Sequence, residues 1–181
     1  MAIYVALLRA INVGSGRGVK MTDLARVVSE AGGEQVSTYI QSGNVVFAHD
    51  TGSPPELEAE LENRLATIAS FHVSVIVRTA QEWDVVISEC PYDVEDPTKL
   101  HVTFSKGTLP DATLDAFDQA PFAPASFGWR KREIYLYLPD GIGRAKLPIA
   151  LGKLDTTASP TTTRNWRTVL ELQKYARRLA T

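Results

Sequence analysis

Val36-Ser37-Thr38-Tyr39-Ile40-Gln41-Ser42-Gly43-Asn44-Val45-Val46-Phe47-Ala48 contains two β-rich runs, 36–40 and 45–48, on either side of a Gln-Ser-Gly-Asn connection. Its Ser-Gly and Gly-Asn pairs supply the backbone freedom of a tight hairpin turn. Upstream, Ile3 to Arg9 reads as a buried strand, followed by a glycine-rich loop from Asn12 to Gly18. A helix is predicted over 21–31, because Leu24, Val27, Val28 and Ala31 recur at i, i+3, i+4 and i+7, with Gly32 as its left-handed stop. Downstream, Ser53, Pro54 and Glu56 form a capping-box signature that starts a helix over 54–70, and 72–77 follows as a strand. The first 78 residues therefore run β-α-β-β-α-β, the order of an α+β, ferredoxin-like split β-α-β sandwich. In that arrangement the first two strands are parallel and the third lies antiparallel between them. The end of the first strand and the tip of the hairpin then share one sheet edge, so Asn12 to Lys20 should face Gln41 to Asn44.

The second half carries weaker signals. Thr79 and Glu82 repeat the capping-box spacing and start a helix through about Glu89, with Trp83, Val86, Ile87 and Cys90 on its apolar face. Cys90 thus reads as packing rather than as a nucleophile. A strand over 100–105, a helix over 110–117, a hairpin from 127–129 and 133–138, and two closing helices are predicted after it, a second α/β half that partly echoes the first. Cys90 to Lys99, with Pro91, Pro97 and three acids, is the natural junction, giving expected domains of 1–90 and 91–181, or one compact domain.

Composition narrows the function without naming it. The chain has 181 residues, 44% of them hydrophobic and 22% charged, as ordinary globular proteins do. No run approaches the roughly 20 apolar residues of a membrane helix, and no basic residue precedes the apolar stretch Ala2 to Leu8 as a secretory signal requires, so a cytoplasmic protein without a membrane partner is expected. One cysteine and three scattered histidines offer neither an internal disulfide nor zinc-ligand spacing, so no metal is expected. The net charge of -2 conceals an asymmetry: residues 1–128 hold 8 Lys and Arg against 17 Asp and Glu, whereas residues 129–181 hold 11 against 4. That pattern suits an anionic partner, a small molecule or a nucleic acid, or an acidic half docking on a basic one.

The candidate binding residues follow from this pattern. Arg9, Asn12 and Lys20 bracket a glycine-rich strand-to-helix loop whose amides could form an anion nest, although its spacing fits neither Walker A nor GxGxxG, and no cofactor is expected. Gln41, Ser42 and Asn44 either add hydrogen bonds at the same edge or shape the turn. Lys146, with Arg144, ends a second glycine-rich turn that starts at Leu138. Arg130-Lys131-Arg132 reads as a charged hairpin tip. Thr163 reads as the N-cap of a helix over 164–179, in which Arg164, Arg167, Glu171, Lys174 and Arg178 follow one face, basic but broken by Glu171; Arg164 and Asn165 stand at its start, and Trp166 either stacks a planar ligand or fills core. No histidine, carboxylate pair or activated nucleophile marks a catalytic centre, which leaves catalytic residues unassigned. These residues point to binding of a phosphate-bearing ligand, to an enzyme of small phosphorylated metabolites, or to structural roles alone.

Leu7-Leu8-Arg9-Ala10-Ile11-Asn12-Val13-Gly14, Tyr39 to Phe47 and Thr162-Thr163-Arg164-Asn165-Trp166 together resemble the bacterial domain-of-unknown-function family 1697. Val77-Arg78-Thr79, Glu82-Trp83, His101-Val102-Thr103-Phe104 and Gly143 to Leu147 fit the same pattern in order. Ala10, where the family usually has glycine, and Arg167, where it usually has asparagine, depart from it. The resemblance implies an α+β fold with ferredoxin-like character and brings no activity or substrate.

Overall fold

A computed structural model of the chain describes residues 1–12, 18–154 and 159–180. They form two compact units, unit 1 comprising 1–85 and 171–181 and unit 2 comprising 86–170.

Unit 1 holds strands β1 (Ala2–Leu8), β2 (Glu34–Tyr39), β3 (Asn44–His49) and β4 (Val75–Thr79) with helices α1 (Met21–Glu30) and α2 (Pro54–Ala66), and α3 (Ala80–Ser88) begins there. The sheet order is β2-β3-β1-β4 with every neighbouring pair antiparallel. This is the order that the sequence reading requires, with β3 between β1 and β2. Tyr4, Ala6 and Leu8 of β1 pack with Leu24, Val27 and Val28 of α1 and Leu57, Leu61 and Leu65 of α2. Val5 and Leu7, on the opposite face of β1, are buried as well, so the strand reads as an unbroken apolar run.

The expected caps are present. Ser53 donates to Glu56 from both its backbone N–H and its hydroxyl, each at 2.8 Å, and Gly32 adopts φ 92° just past α1. Helix α2 ends four residues earlier than its apolar pattern suggested. Thr67 donates its hydroxyl to the Arg64 carbonyl at 2.7 Å, and the β-branched pair Thr67-Ile68 gives up regular helix there.

Unit 2 repeats the plan. Strands β5 (Leu100–Ser105), β6 (Ser126–Arg130), β7 (Glu133–Tyr137) and β8 (Thr161–Asn165) lie in the order β6-β7-β5-β8, again antiparallel throughout. With short helices α4 (Asp111–Asp115) and α5 (Lys146–Leu151), its chain order is β-α-β-β-α-β. The partial echo read from the sequence is therefore complete at the level of topology. Leu109, Leu114, Phe127, Ile134, Leu136, Leu138, Leu147 and Leu151 form the core of the unit.

Strand β8 corrects the expected helix over 164–179. Thr161, Thr162 and Thr163 are β-branched and pair with Ser105, Phe104 and Thr103, so the chain is extended through Asn165. Helix α6 (Trp166–Leu179) starts after it. Trp166 is buried, which settles its role as core.

Candidate functional site

In unit 1 the end of β1 meets the β2–β3 hairpin, as the topology demands. The Leu8 amide donates to the Gly43 carbonyl at 2.8 Å, and the Arg9 amide donates to Ser74 at 2.9 Å. Asn12 holds three backbone groups at once. Its Oδ1 accepts from the Val19 amide at 3.0 Å, and its Nδ2 donates to the Val19 carbonyl at 3.0 Å and to the Gln41 carbonyl at 2.6 Å. One side chain thus ties the loop after β1 to the hairpin tip and to the start of α1. Asn44, fully buried, donates from Nδ2 to the Tyr39 carbonyl at 3.0 Å and to the Ser42 hydroxyl at 2.9 Å, and so shapes the turn from within.

Both loops carry unusual backbone. Ala10, Asn12 and Ile40 adopt φ of 50°, 55° and 48°, and Gly43 adopts 73°. Asparagine and glycine accept the left-handed region readily, whereas a β-branched residue does so at a cost. Ile40 is also 52% exposed at the tip. Such concentrations of strained backbone occur where function constrains the chain. Around them Lys20 and Gln41 are exposed, and Arg9 and Ser42 are part-buried. Lys20 occupies the N-cap position of α1 in an extended conformation and makes no side-chain cap, so the helix start is not closed by its capping residue. The anion nest expected over Asn12 to Gly18 falls largely on residues 13–17, outside the described residues.

The remaining expected residues lie in unit 2. Thr163 is not a helix cap: its hydroxyl bonds that of Thr103 across the β5–β8 pair at 2.7 Å. The cap is Asn165, whose Oδ1 accepts from the Arg167 amide at 3.0 Å, because the helix starts at Trp166, two residues later than expected. Arg164 is likewise not on an exposed basic helix face. It is buried in β8, donates to the Thr162 hydroxyl at 2.7 Å and to the Thr163 carbonyl at 3.0 Å, and burial lowers its guanidinium to a pKa of about 10. Lys146 is exposed on the wall of a cavity. Lys131, at φ 52°, sits in the β6–β7 turn as part of the expected charged tip.

His101 was not singled out from the sequence as a candidate, although it stands within the family-like stretch His101 to Phe104. It is buried on β5 opposite Asn165, with Nε2 3.3 Å from the Asn165 amide nitrogen and Nδ1 without a hydrogen-bond partner among the described residues. Burial holds its pKa below the ordinary histidine value. Below about pH 6.5 the unfolded chain therefore takes up this proton before the folded one, and stability falls with falling pH. Wild type is expected to lose more stability than His101→Phe between about pH 7 and about pH 5 in urea titrations. Parallel losses would show that His101 does not contribute to the pH dependence.

Among the described residues no group of three His, Cys, Asp or Glu side chains could hold a metal ion, and no helix is long and apolar enough to cross a membrane.

Two antiparallel four-stranded sheets of one strand order, flanked by helices, define an α+β protein. The chain belongs to the family described as Protein of unknown function (DUF1697), whose model matches residues 1–135. No curated protein matches it. Among solved structures, the conserved bacterial protein SP0830 from Streptococcus pneumoniae is similar with a TM-score of 0.77 and 22% sequence identity, covering 96% of this chain and 97% of that one. The likeness is one of fold.

Proposed function

We propose that the loop pair of unit 1 binds a phosphate-bearing ligand, with Arg9, Lys20, Gln41 and Ser42 as the contacting side chains and Asn12 and Asn44 as positioning residues. The observation that carries this reading is the triple hydrogen bond of Asn12, which fixes two loops and a helix start against one another beside an exposed cation. The hairpin tip and the described ends of the loop after β1 are held together before ligand arrives, so less entropy is lost there on binding. The helix start adds partial positive charge, and Lys20 a full one. Arginine, lysine, glutamine and serine bind and orient anions but are poor general bases near neutral pH, which favours binding over turnover. For Asn12 and Asn44 themselves, their bonds to the backbone favour a structural role.

Calorimetric titration with inorganic phosphate, adenosine monophosphate and a single-stranded oligonucleotide tests the proposal. Lys20→Ala is expected to weaken whichever of these binds by about tenfold, equivalent to about 1.4 kcal/mol. If the oligonucleotide binds and its affinity falls steeply with salt, the ligand is a nucleic acid. Unchanged affinity in both Lys20→Ala and Arg9→Ala would remove the site.

A further inference from the structure

Unit 2 contains a cavity of about 510 Å³ between the segment 121–125 and the two arms, 138–141 and 144–147, of the turn that follows β7. Its size lies within the roughly 300–1,000 Å³ of small-molecule sites. The lining is mixed, about as polar as it is apolar, and its exposed apolar surface comes from Pro121, Ala123 and Pro124. Leu138 and Leu147 are fully buried, and Phe122 is stacked on Phe117 with ring centroids 5.7 Å apart and planes 29° apart, so its ring is held in place where it lines the cavity. Pro124 and Pro139 stiffen two of the walls through their fixed φ. The turn is held in turn by its own backbone, with the Gly141 amide bonded to Leu138 at 2.9 Å and the Ala145 amide to Ile142 at 3.2 Å.

The charge on the lining is one-sided. Arg144 and Lys146 are both exposed, and among the described residues neither has an ion-pair partner; Asp140 is the single acid against them. Two cations at the wall of a cavity whose apolar part is proline, alanine and one fixed aromatic ring match a molecule with a flat apolar body and one anionic group. The body would displace water from Phe122, Pro121 and Pro124, and the anion would meet Arg144 and Lys146. A neutral apolar ligand would leave both cations unused, and a cationic one would be repelled by them.

We infer that this cavity is a binding site for a small aromatic acid, a flat ring system carrying one phosphate or carboxylate. It shares no residue with the loop pair of unit 1, so the two readings stand or fall separately. The full chain is titrated with 1-naphthyl phosphate, 1-naphthoate, 1-naphthol and inorganic phosphate, and backbone amide shifts are followed by NMR. One of the two naphthyl acids is expected to bind about tenfold or more tightly than naphthol or phosphate, and to move the amides of Gly141, Arg144 and Ala145. The tighter of the two identifies the acid group. The double change Arg144→Gln and Lys146→Gln replaces exposed side chains. It is expected to reduce binding of the acid to the level of naphthol while leaving naphthol unchanged. No binding by either acid, binding that the double variant does not alter, or amide shifts confined to residues outside the cavity would each overturn the inference.

Discussion

Replacing Trp83 with alanine is expected to destabilise the protein by about 3–5 kcal/mol, the range for deleting a large aromatic side chain from a core. Trp83 is fully buried on α3, a helix of nine residues. A helix so short is marginal alone and owes its stability to packing. Its start is fixed by Thr79 and Glu82, which bond reciprocally: the Thr79 amide to Glu82 Oε2 at 2.8 Å, and the Glu82 amide to the Thr79 hydroxyl at 3.1 Å. Removing Trp83 leaves the cap in place and empties what the cap positions. Against a typical total stability of about 5–15 kcal/mol, the loss should lower the thermal midpoint by roughly 6–20 °C. Trp129→Ala provides the comparison, since Trp129 is half-buried beside Phe127 at 6.0 Å and should cost less. Urea denaturation followed by circular dichroism measures both. Equal losses would mean that burial does not separate the two tryptophans, and a Trp83 loss under about 1 kcal/mol would refute its place in the core.

The reach of the sequence reading follows the range of the signals. Unit 1 was legible because its cues are local. Apolar residues one turn apart mark α1, Ser53 and Glu56 mark the start of α2, and a Ser-Gly-Asn turn joins β2 to β3. Once those elements are placed, strand order puts Asn12 against Gln41 without further information. Strand β8 was not legible, because Thr163 and Asn165 are both natural caps and the preference of the threonines for extended structure is realised by β5, sixty residues away. The helix expected over 110–117 contains α4 and the expected hairpin overlaps β6 and β7, so the unread β8 is what hid the full repeat of the plan in unit 2.

The same distinction governs the sites. That Asn12 and Asn44 bond backbone rather than project toward a ligand is invisible in sequence, since turn-shaping and ligand-binding asparagines look alike. His101 and Asn165 meet across two strands, and the cavity of unit 2 takes its walls from segments that the sequence separates by β6 and β7. Sequence thus locates polar groups well where local cues place every strand that brings them together, and poorly where one of those strands goes unread.

Gly43→Ala is expected to cost roughly 2–5 kcal/mol, the sum of two separate penalties. At φ 73° an alanine is strained by roughly 1–2 kcal/mol. A Cβ there would also lie 2.7 Å from both Leu8 Cβ and Ile11 Cδ1, closer than such atoms approach, so the buried core must shift at a cost of roughly 1–3 kcal/mol. The shift has a direction that matters for function. Ile11 is buried and adjoins Asn12, so moving it pulls on the side chain that ties Gln41 and Val19 together, while the Gly43 carbonyl that accepts from Leu8 moves with the turn. Both stability and anion binding at the loop pair should therefore fall together, binding being measured well below the lowered thermal midpoint. Gly143→Ala is the control, because its added Cβ meets nothing within 4 Å and its backbone is not left-handed. That change should be near neutral or stabilise by about 0.4–1 kcal/mol through the unfolded chain. If Gly43→Ala proves as stable as Gly143→Ala, the close approach of the hairpin to the end of β1 is wrong; if it is destabilised yet binds phosphate as wild type does, the hairpin is scaffold and the anion site lies elsewhere.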